Sequence, residues 1–559
     1  MQESARRESR GSANLQIESL SFAEIPGQSR LFLDHLSNAE KVRHFYPTPA
    51  RTTSDLSEFA PHVLASYPDH RSAVCDVLAD QNKKFGASDR ALSNIETLRA
   101  NGVVAVLTGQ QAGILGGPLY TIYKAISAIR QAEILTGNGT PAVPIFWAAT
   151  EDHDLAEITT AFDMNADGGL SELKFTGELA DDGKPVGRIN IPGNARELIA
   201  RHLDSLPRTE FSSDALSLID NCWIPGATYG EAFCRFISTL FSEYGLIVVD
   251  PLDHRLKAIS AALIRKAIEN RHEIASALEA RGKELEGSGY HSQVLVDNGH
   301  FPAFYITDEG RRRAIKSDGD GSFRISGERV SFTATELATI AEHEPHRLSA
   351  GVLLRPVVQD HLFPTVCYFG GGAEVAYFAQ IGETYRVLDR PVTPIIHRQS
   401  FTIVEPNRSR LLDKFDLGLP QLFSGFDALL PPIIDRFVDP GNARLFADTE
   451  ENIGTELHKL DEVLSRIDPT LAANLATRRR KILYHIDALQ KKFYRVQGER
   501  NEIVSRQLRA AVTELYPRNG LQERTLTAVT FLNRHGRYFI DWLYSAVDLT
   551  DSGHRIIKL

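Results

Sequence analysis

The chain has 559 residues, 42% hydrophobic and 24% charged, which is the composition of a globular protein; at roughly 150 residues per domain, three or four structural units are expected. Its net charge of -10 argues against broad nucleic-acid binding, because such proteins need an electropositive face. The sequence contains no run of about 18 apolar residues that would cross a bilayer, so no membrane partner is expected.

The cysteines and the N-terminus predict a cytoplasmic protein. Residues 1–15 are polar and lack an apolar segment, so we interpret them as a disordered tail rather than a signal peptide. The four cysteines are far apart and none belongs to a C-x-x-C pair, which favours neither a zinc site nor a disulfide framework: Cys75, Cys222, Cys234 and Cys367.

The first predicted elements form a β-α-β unit. Residues 103–107 are a continuous apolar run, typical of a strand buried on both faces of a parallel sheet. Isoleucines at 122, 126 and 129 recur at helical spacing and predict a helix over 119–135. A second apolar run at 145–149 predicts the next parallel strand.

The sequence TGQQAGILGGPLY at 108–120 places four glycines where the first strand becomes the helix. Glycines at this position let backbone N–H groups approach an anion, and the N-terminus of the helix adds favourable charge. Lys124, one turn into the helix, would neutralise a phosphate or a carboxylate. The alternative is a tight connection in which the glycines serve only close packing, since neither the P-loop nor the dinucleotide fingerprint is present.

The sequence FWAATEDHDLAE at 146–157 follows the second strand and contains four carboxylates around one imidazole. It should lie at the carboxyl edge of the sheet, where ligands of open α/β folds bind. Such a cluster can bind an ammonium, ligate a metal or tune a histidine for proton transfer. The alternative is a helix N-terminus capped by acids. A metal is disfavoured because no second His or Cys stands at ligand spacing.

Further apolar runs predict a doubly wound parallel sheet, because several of them precede helical patterns. These runs lie at 246–249, 294–296, 352–358, 365–369 and 392–396. Polar, glycine-rich stretches between them predict small β-containing insertions. We divide this region into three core parts, 16–165, 226–290 and 346–445, with insertions at 166–225 and 291–345.

The stretch LLRPVVQDHLFPTVCYFGGGAEVAYFAQ at 353–380 repeats the order strand, three glycines, helix. Glu374 lies in the first helical turn, where it would repel an anion and favour a cationic amine. Arg355 and Gln359 lie just upstream and would hold a carboxylate, the arginine through two parallel hydrogen bonds. Arg398 follows a later strand. For each charged residue the alternative is a structural salt bridge.

From about residue 449 the pattern becomes that of a coiled coil. Apolar residues recur in a 4-3 rhythm, and Asp468-Pro469 is typical of the start of a second helix. We predict a helical hairpin over 446–515 and a segment over 516–559 that packs on the core. The basic run at 477–481 is interpreted as a solvated face, with a phosphate contact as the alternative.

The hairpin predicts a homodimer. Its second helix is expected to be about twice as long as the first, which would leave the distal seam without a local partner. Two-fold pairing of hairpins is the simplest closed arrangement that covers such a stripe. The seam residues are Leu489, Phe493, Val496 and Ile503.

Five features in this order resemble the bacillithiol biosynthesis cysteine-adding enzyme family, the cysteine ligases, from about residue 16 onward: GQQAGILGGPLYTIYKAISA, PIFWAATEDHDLAEI, GYHSQV, the stretch at 353–380 and the hairpin. The resemblance implies an amide bond formed between L-cysteine and glucosaminyl-malate, the last step of bacillithiol biosynthesis. It also implies a Rossmann-like core with two connecting-peptide insertions and a coiled-coil dimerisation domain. ATP with Mg²⁺ is expected to activate the carboxylate, although no HIGH-type or KMSKS-type signature occurs.

The resemblance and the chemistry together assign roles to the candidate residues. His153 is predicted as the base that deprotonates the attacking amine, within a reaction centre that includes Asp152 and Asp154. An anionic group, malate or phosphate, is assigned to Gly109, Gln110, Gly113, Gly116, Gly117, Tyr120 and Lys124. The other substrate-binding residues are predicted to be Glu151, Arg355, Gln359, Glu374, Tyr377 and Arg398.

Two alternatives stay open at this point. One is a nucleotidyltransferase-like ligase with the same core that acts on another amino acid and amine. The other is a coiled-coil scaffold that binds a nucleotide without turnover. A scaffold has no need of an acidic cluster around a histidine at the edge of the sheet, so the EDHD sequence at 151–154 favours an enzyme.

Overall fold

The computed structural model describes residues 15–48, 52–68, 70–176, 182–296, 299–318, 321–436 and 440–559. It forms two compact units, one extending to Ile403 and including Gln522–Ile557, the other comprising Val404–Leu521. The core was predicted to continue to 445, but the helices Pro406–Phe415 and Phe426–Ile434 pack on Glu502–Leu515 and belong to the second unit. The tail predicted at 1–15 lies outside the described residues except for Leu15.

The strands of the structure, numbered in chain order, are β1 (Gln16–Leu20), β2 (Val104–Gln110), β3 (Ala142–Ala148), β4 (Thr160–Met164), β5 (Leu170–Lys174), β6 (Ile247–Val249), β7 (His300–Ile306), β8 (Arg312–Ser317), β9 (Ser322–Ile325), β10 (Ser331–Thr333), β11 (Leu348–Ala350), β12 (Thr365–Gly370), β13 (Ile395–His397), β14 (Phe401–Val404) and β15 (His554–Lys558).

The α-helices of the first unit are Arg30–Ser37, Ala39–Val42, Thr53–Ser66, Arg71–Lys84, Asp89–Arg99, Tyr120–Gly137, Leu155–Ile158, Ala195–Asp204, Ser212–Cys222, Tyr229–Leu240, His254–Glu269, Arg271–Gly287, Ala334–His343, Arg355–Leu362, Gly372–Val387, Val529–His535 and Tyr538–Ala546. Those of the second unit are Pro406–Phe415, Leu419–Leu422, Phe426–Ile434, Pro440–Ile467, Pro469–Arg500 and Glu502–Leu515.

The central sheet has five parallel strands in the order β13-β12-β2-β3-β6. The chain runs outward from β2 to β3 and β6, then returns to the other side of β2 as β12 and continues to β13. Residues in the middle of β2 and β12 are fully buried, as expected for strands covered on both faces. The predicted doubly wound core is confirmed, and its topological switch point lies between β2 and β12.

Two of the predicted strands are wrong. The run at 352–358 is a turn followed by the helix Arg355–Leu362, with Pro356 in its first turn, because a short apolar run does not distinguish a buried strand from a buried helix. The run at 294–296 is not a strand; the Gln380 amide pairs with both backbone groups of Val294 instead. The arginine at 355 therefore lies on a helix.

The polar stretches contain β structure of their own. Strands β4 and β5 form an antiparallel hairpin, and β10-β9-β8-β7-β11 form an antiparallel sheet. Asp163 at the end of β4 is buried and accepts hydrogen bonds from the hydroxyls of Thr527 and Thr530. These bonds join the C-terminal segment of the first unit to its body.

The second unit contains the helical hairpin. Its first long helix, Pro440–Ile467, has 28 residues, and the second, Pro469–Arg500, has 32 residues and is capped by the Asp468 side chain. The two helices are thus similar in length, contrary to prediction, and Phe493 contacts Phe446 within the hairpin, with ring centroids 5.4 Å apart. In the described part of the chain, no helix combines the length and apolar character needed to cross a membrane.

Candidate active site

A cavity of about 590 Å³ opens at the carboxyl ends of the central strands, at the switch point between β2 and β12. It brings together eleven of the predicted site residues: Gly109, Gln110, Tyr120, Lys124, Glu151, Asp152, His153, Arg355, Glu374, Tyr377 and Arg398. Five others do not line it: Gly113, Gly116, Gly117, Asp154 and Gln359. Two arginines that sequence reasoning missed, Arg312 and Arg524, also line the cavity.

The last three glycines of the loop lie away from the cavity. Gly113, Gly116 and Gly117 are buried in the protein. Gly116 has φ +87°, and a Cβ atom there would lie 2.5 Å from Cε1 of Phe236. A Cβ atom on Gly113 would lie 3.0 Å from Cα of Gly117. These distances favour the alternative of close packing over the anion-binding role predicted for the three glycines.

Replacing Gly116 by alanine should therefore destabilise the fold more than strain at a positive φ does alone. Gly139→Ala is the matched control, since Gly139 has φ +91° and no atom near its missing Cβ. We expect the control to lose about 1–2 kcal/mol of unfolding free energy, and Gly116→Ala to lose about 1–3 kcal/mol more through overpacking. Urea unfolding followed by circular dichroism measures both, and equal losses would contradict the packing role.

Lys124 is buried, and its ammonium group is already satisfied within the protein. The Nζ atom donates to the carbonyl oxygen of Gly109 at 2.9 Å and to Oε1 of Gln110 at 2.8 Å, and it pairs with Oε2 of Glu374 at 2.5 Å. An ammonium has three N–H donors, so none is left over. The geometry contradicts the prediction that Lys124 is the counter-charge of a bound anion.

Glu374 likewise has its carboxylate occupied. Besides Lys124, it accepts hydrogen bonds from the Tyr368 hydroxyl at 2.8 Å and from the backbone N–H of Gly371 at 2.7 Å. Burial by itself raises the pKa of Glu374, but Lys124 and these two donors lower it below the usual 4.5. The carboxylate is therefore ionised and neutralised in place, which argues against the predicted role of binding a cationic amine.

Of the acidic residues around His153, two have structural roles and one is free to contact a ligand. Glu151 is buried and forms an ion pair with Lys257. Asp154 is exposed and caps the helix Leu155–Ile158 by accepting from the N–H of Glu157, so its predicted catalytic role is replaced by capping. Asp152 lines the cavity, and no Lys or Arg of the described residues pairs with it.

His153 is held between its own loop and the antiparallel sheet. Nη1 of Arg312, the first residue of β8, lies 3.1 Å from Nδ1 of His153, and the backbone N–H of His153 donates to Asp152 at 2.8 Å. The side chain is 36% exposed. Burial, and then the nearby Arg312 guanidinium, lower the pKa of His153 below the usual 6.5. The imidazole is therefore neutral at neutral pH.

Arg355 presents a positive charge to the cavity without a carboxylate partner among the described residues. Its Nη1 donates to Oε1 of Gln359 and its Nη2 to the Tyr377 hydroxyl, both at 2.9 Å. Gln359 is fully buried and serves to orient the guanidinium rather than to contact a ligand. The predicted pair of Arg355 and Gln359 is thus brought together by one helical turn, with only the arginine lining the cavity.

Arg398 is neutralised by Glu523 through a bidentate pair, with N–O distances of 2.6 and 3.0 Å and side chains 3% and 1% exposed. Its Nε atom is buried and has no hydrogen-bond partner in the described part of the chain. The helix Gly372–Val387 begins next to Arg398. The backbone N–H groups of Gly372 and Ala373, in its first turn, donate to no acceptor among the described residues. This corner of the cavity therefore has free donors.

The cavity has charges of both signs that the protein leaves unpaired. Arg355 and the exposed Arg524 have no carboxylate partner among the described residues, and the acids Asp152 and Glu157 have no cation partner there. Partial burial, and then the carboxylates of Asp152 and Asp154, raise the pKa of Glu157. Within the described residues no three side chains of His, Cys, Asp or Glu come together as a metal site.

The fold and the site define an α/β protein of Rossmann-like type, with a cavity at its switch point that is lined by charges of both signs. Two family models cover the chain: "Bacillithiol biosynthesis BshC, N-terminal Rossmann-like domain" matches residues 15–399, and "Bacillithiol biosynthesis BshC, C-terminal coiled-coil domain" matches residues 401–559. The chain belongs to this family, which confirms the resemblance drawn from its motifs.

Full-length relatives support the same assignment. A protein of Koribacter versatilis named "Putative cysteine ligase BshC" is 36% identical over 96% of this chain and 99% of its own length. Proteins with the same name from Salinibacter ruber and Solibacter usitatus are 33% and 31% identical, over 94% and 96% of this chain and 96% and 98% of theirs. The similarity therefore extends over both units.

Proposed function

We propose that the chain is a ligase that joins L-cysteine to the sugar amine of glucosaminyl-malate through an amide bond, in the last step of bacillithiol biosynthesis. Its family membership and the names of its relatives support a cysteine ligase of that pathway. The substrate pair rests on the resemblance and on the charges that line the cavity.

The observation that carries the proposal is that one cavity contains both carboxylates and guanidinium groups that have no partner of opposite charge among the described residues. Cysteine and glucosaminyl-malate bring two amines and three carboxylates, so a site that binds both needs carboxylate and guanidinium groups that the protein has not already paired. Asp152 and Glu157 are acids of this kind, and Arg355 and Arg524 are cations of this kind. A scaffold without turnover has no need of unpaired charges of both signs gathered in one cavity, which favours an enzyme.

The malate end of the substrate is assigned to Arg355, because a planar guanidinium held by two hydrogen bonds suits a carboxylate. The N–H groups of Gly372 and Ala373 fit a phosphate of ATP, since they begin a long helix and have no acceptor in the described part of the chain. Lys124 neutralises Glu374 in the same turn, which removes the repulsion of an anion expected from that residue. When bound, ATP would supply the activation of the cysteine carboxylate, with Mg²⁺ entering on its phosphates.

Asp152 is assigned to the attacking amine. An ammonium must lose a proton before its nitrogen can attack a carboxyl carbon, and Asp152 offers a carboxylate in the cavity that no Lys or Arg of the described residues pairs with directly. Its backbone is fixed, since the N–H of Asp152 donates to Ala149 and its carbonyl accepts from Val186. The acid would hold the ammonium and receive the proton.

The test is mass spectrometry of the purified protein incubated with L-cysteine, glucosaminyl-malate, ATP and Mg²⁺. We expect the mass of the amide product, one water less than the sum of the two substrates, and none without ATP. The nucleotide formed, AMP or ADP, identifies how the carboxylate is activated. Serine and glycine in place of cysteine serve as controls, and product with these but not with cysteine would overturn the substrate assignment.

We also propose that the chain forms a homodimer through the hairpin, because Leu489 and Val496 on its second helix are exposed, as is Ile503 on the helix that follows. Light scattering should give twice the chain mass of 62.0 kDa. Leu489→Glu with Val496→Glu should shift the mass toward that of the monomer, whereas Lys491→Glu, an exposed position on the opposite face of the same helix, should not. A monomeric unmodified chain at micromolar concentration would contradict the proposal.

A further inference from the structure

The contact between Arg312 and His153 decides which nitrogen of the imidazole carries the proton. Nη1 of Arg312 lies 3.1 Å from Nδ1 of His153. A guanidinium has only donors, so Nδ1 must be the acceptor. A neutral imidazole carries one proton, which is then on Nε2. In this state Nε2 cannot accept a proton, and it can only donate a hydrogen bond.

The antiparallel sheet holds the Arg312 side chain rigidly in this position. Nε donates to the Ser349 hydroxyl and Nη2 to the carbonyl oxygen of Ala350, both at 2.9 Å; these residues are on β11, which lies beyond β7 in the sheet. The guanidinium lies 3.6 Å from the ring centroid of Phe304 on β7. These three contacts, with residues on two strands, fix the orientation of the guanidinium toward His153. The Arg312 side chain is almost wholly buried.

The other side of the imidazole is open to the ligand. His153 lines the cavity, and its Nε2 has no partner among the described residues. The charged groups that face the ring are Asp152 and Asp154 from its own loop, and Arg312 and Arg313 from the sheet. The two acids raise the pKa of His153 and the two arginines lower it. Because these effects oppose each other, the hydrogen bond to Nδ1 determines which ring nitrogen carries the proton.

We propose that Arg312 is a positioning residue that holds His153 as a neutral hydrogen-bond donor, whose Nε2–H is directed at a substrate oxygen that gains negative charge during the reaction. A preorganised donor of this kind stabilises such an oxygen more than water does. The proposal rests on the proposed function for the identity of the substrate, and it replaces the base role predicted for His153. It also gives the second insertion a part in the chemistry.

The first test does not depend on turnover. Long-range ¹H–¹⁵N spectra of the full-length protein labelled with ¹⁵N-histidine distinguish a ring protonated at Nε2 from one protonated at Nδ1, and His153→Gln identifies the signal by its loss. We expect the Nε2–H form in the unmodified protein near neutral pH. In Arg312→Met, which keeps an apolar side chain over Phe304, we expect a mixture of both forms. Arg324→Met, at an exposed position on β9 of the same sheet and not among the charges that face the ring, is the control and should leave the signal unchanged.

The second test uses the ligation assay. His153→Ala and Arg312→Met should each lower kcat about 10²- to 10³-fold with a smaller change in KM, as expected for loss of a donor to developing charge. His153→Gln keeps an N–H donor at a similar reach and should retain more activity than His153→Ala. Arg312→Lys keeps one donor and should recover part of the loss.

Two results would overturn the proposal. One is an unmodified protein in which His153 is protonated at Nδ1, or doubly protonated, near neutral pH. The other is a His153→Gln variant as inactive as His153→Ala, which would restore the role of a base. If no amide product forms with any substrate but the Nε2–H form is observed and depends on Arg312, the proposed function fails while the positioning role stands.

Discussion

Replacing Arg355 by methionine should weaken the binding of glucosaminyl-malate by about 30-fold to a few thousand-fold, since truncating one partner of a buried, hydrogen-bonded charge pair costs about 2–5 kcal/mol and each 1.4 kcal/mol is tenfold. The guanidinium is preorganised by Gln359 and Tyr377 and has no carboxylate of its own among the described residues. Calorimetric titration with glucosaminyl-malate, and KM in the ligation assay, measure the effect. The KM for cysteine should change much less.

Two further variants make this prediction specific. Arg355→Lys keeps the charge but loses the planar fork, so it should recover only part of the affinity. Arg386→Met removes an exposed arginine of the helix Gly372–Val387, paired with Glu383 on the surface, and should leave binding unchanged. An unaltered affinity of Arg355→Met for glucosaminyl-malate would place the malate elsewhere and leave the arginine with a structural role.

Glu523→Ala should lower the free energy of unfolding of the first unit by about 3–5 kcal/mol, because it leaves the buried Arg398 guanidinium without its counter-charge. The matched control is Glu197→Ala, which breaks a pair of the same kind with the same N–O distance of 2.6 Å but with both side chains 70% exposed. An exposed pair contributes about 0–1 kcal/mol, so the control should be near neutral. Urea unfolding measures both variants, and similar losses would show that burial does not set the value of the Arg398 pair.

The same ion pair predicts a pH dependence. Burial alone raises the pKa of Glu523, but the Arg398 guanidinium lowers it below the usual 4.5. A carboxyl group whose pKa is lower in the folded than in the unfolded state stabilises the fold above its unfolded pKa. The contribution should therefore be complete near neutral pH and be lost as the pH falls below about 4.5, and Glu523→Ala should flatten the acid side of the stability curve.

Several features of the fold could be predicted from local sequence. The runs at 103–107, 145–149 and 365–369 are continuous and apolar because both faces of a parallel strand are covered, and each is a strand of the central sheet. The hairpin follows from a repeat of apolar residues. The EDHD sequence follows a strand, so the rule that ligands bind at carboxyl ends correctly places Asp152 and His153 in the cavity.

The sequence by itself thus determined the parallel core, the position of the site and the helical hairpin, because each depends on a periodicity or on the direction of a strand. Only the tertiary structure decided which charges of the site are available. Lys124 is neutralised by Glu374, Arg398 by Glu523, and the proton on His153 is positioned by Arg312. These partners are far apart in the chain and meet only when the strands and the insertion assemble, so no local pattern reveals them. Burial then determines which charges must be paired within the protein, since an unpaired charge is costly only where water is excluded.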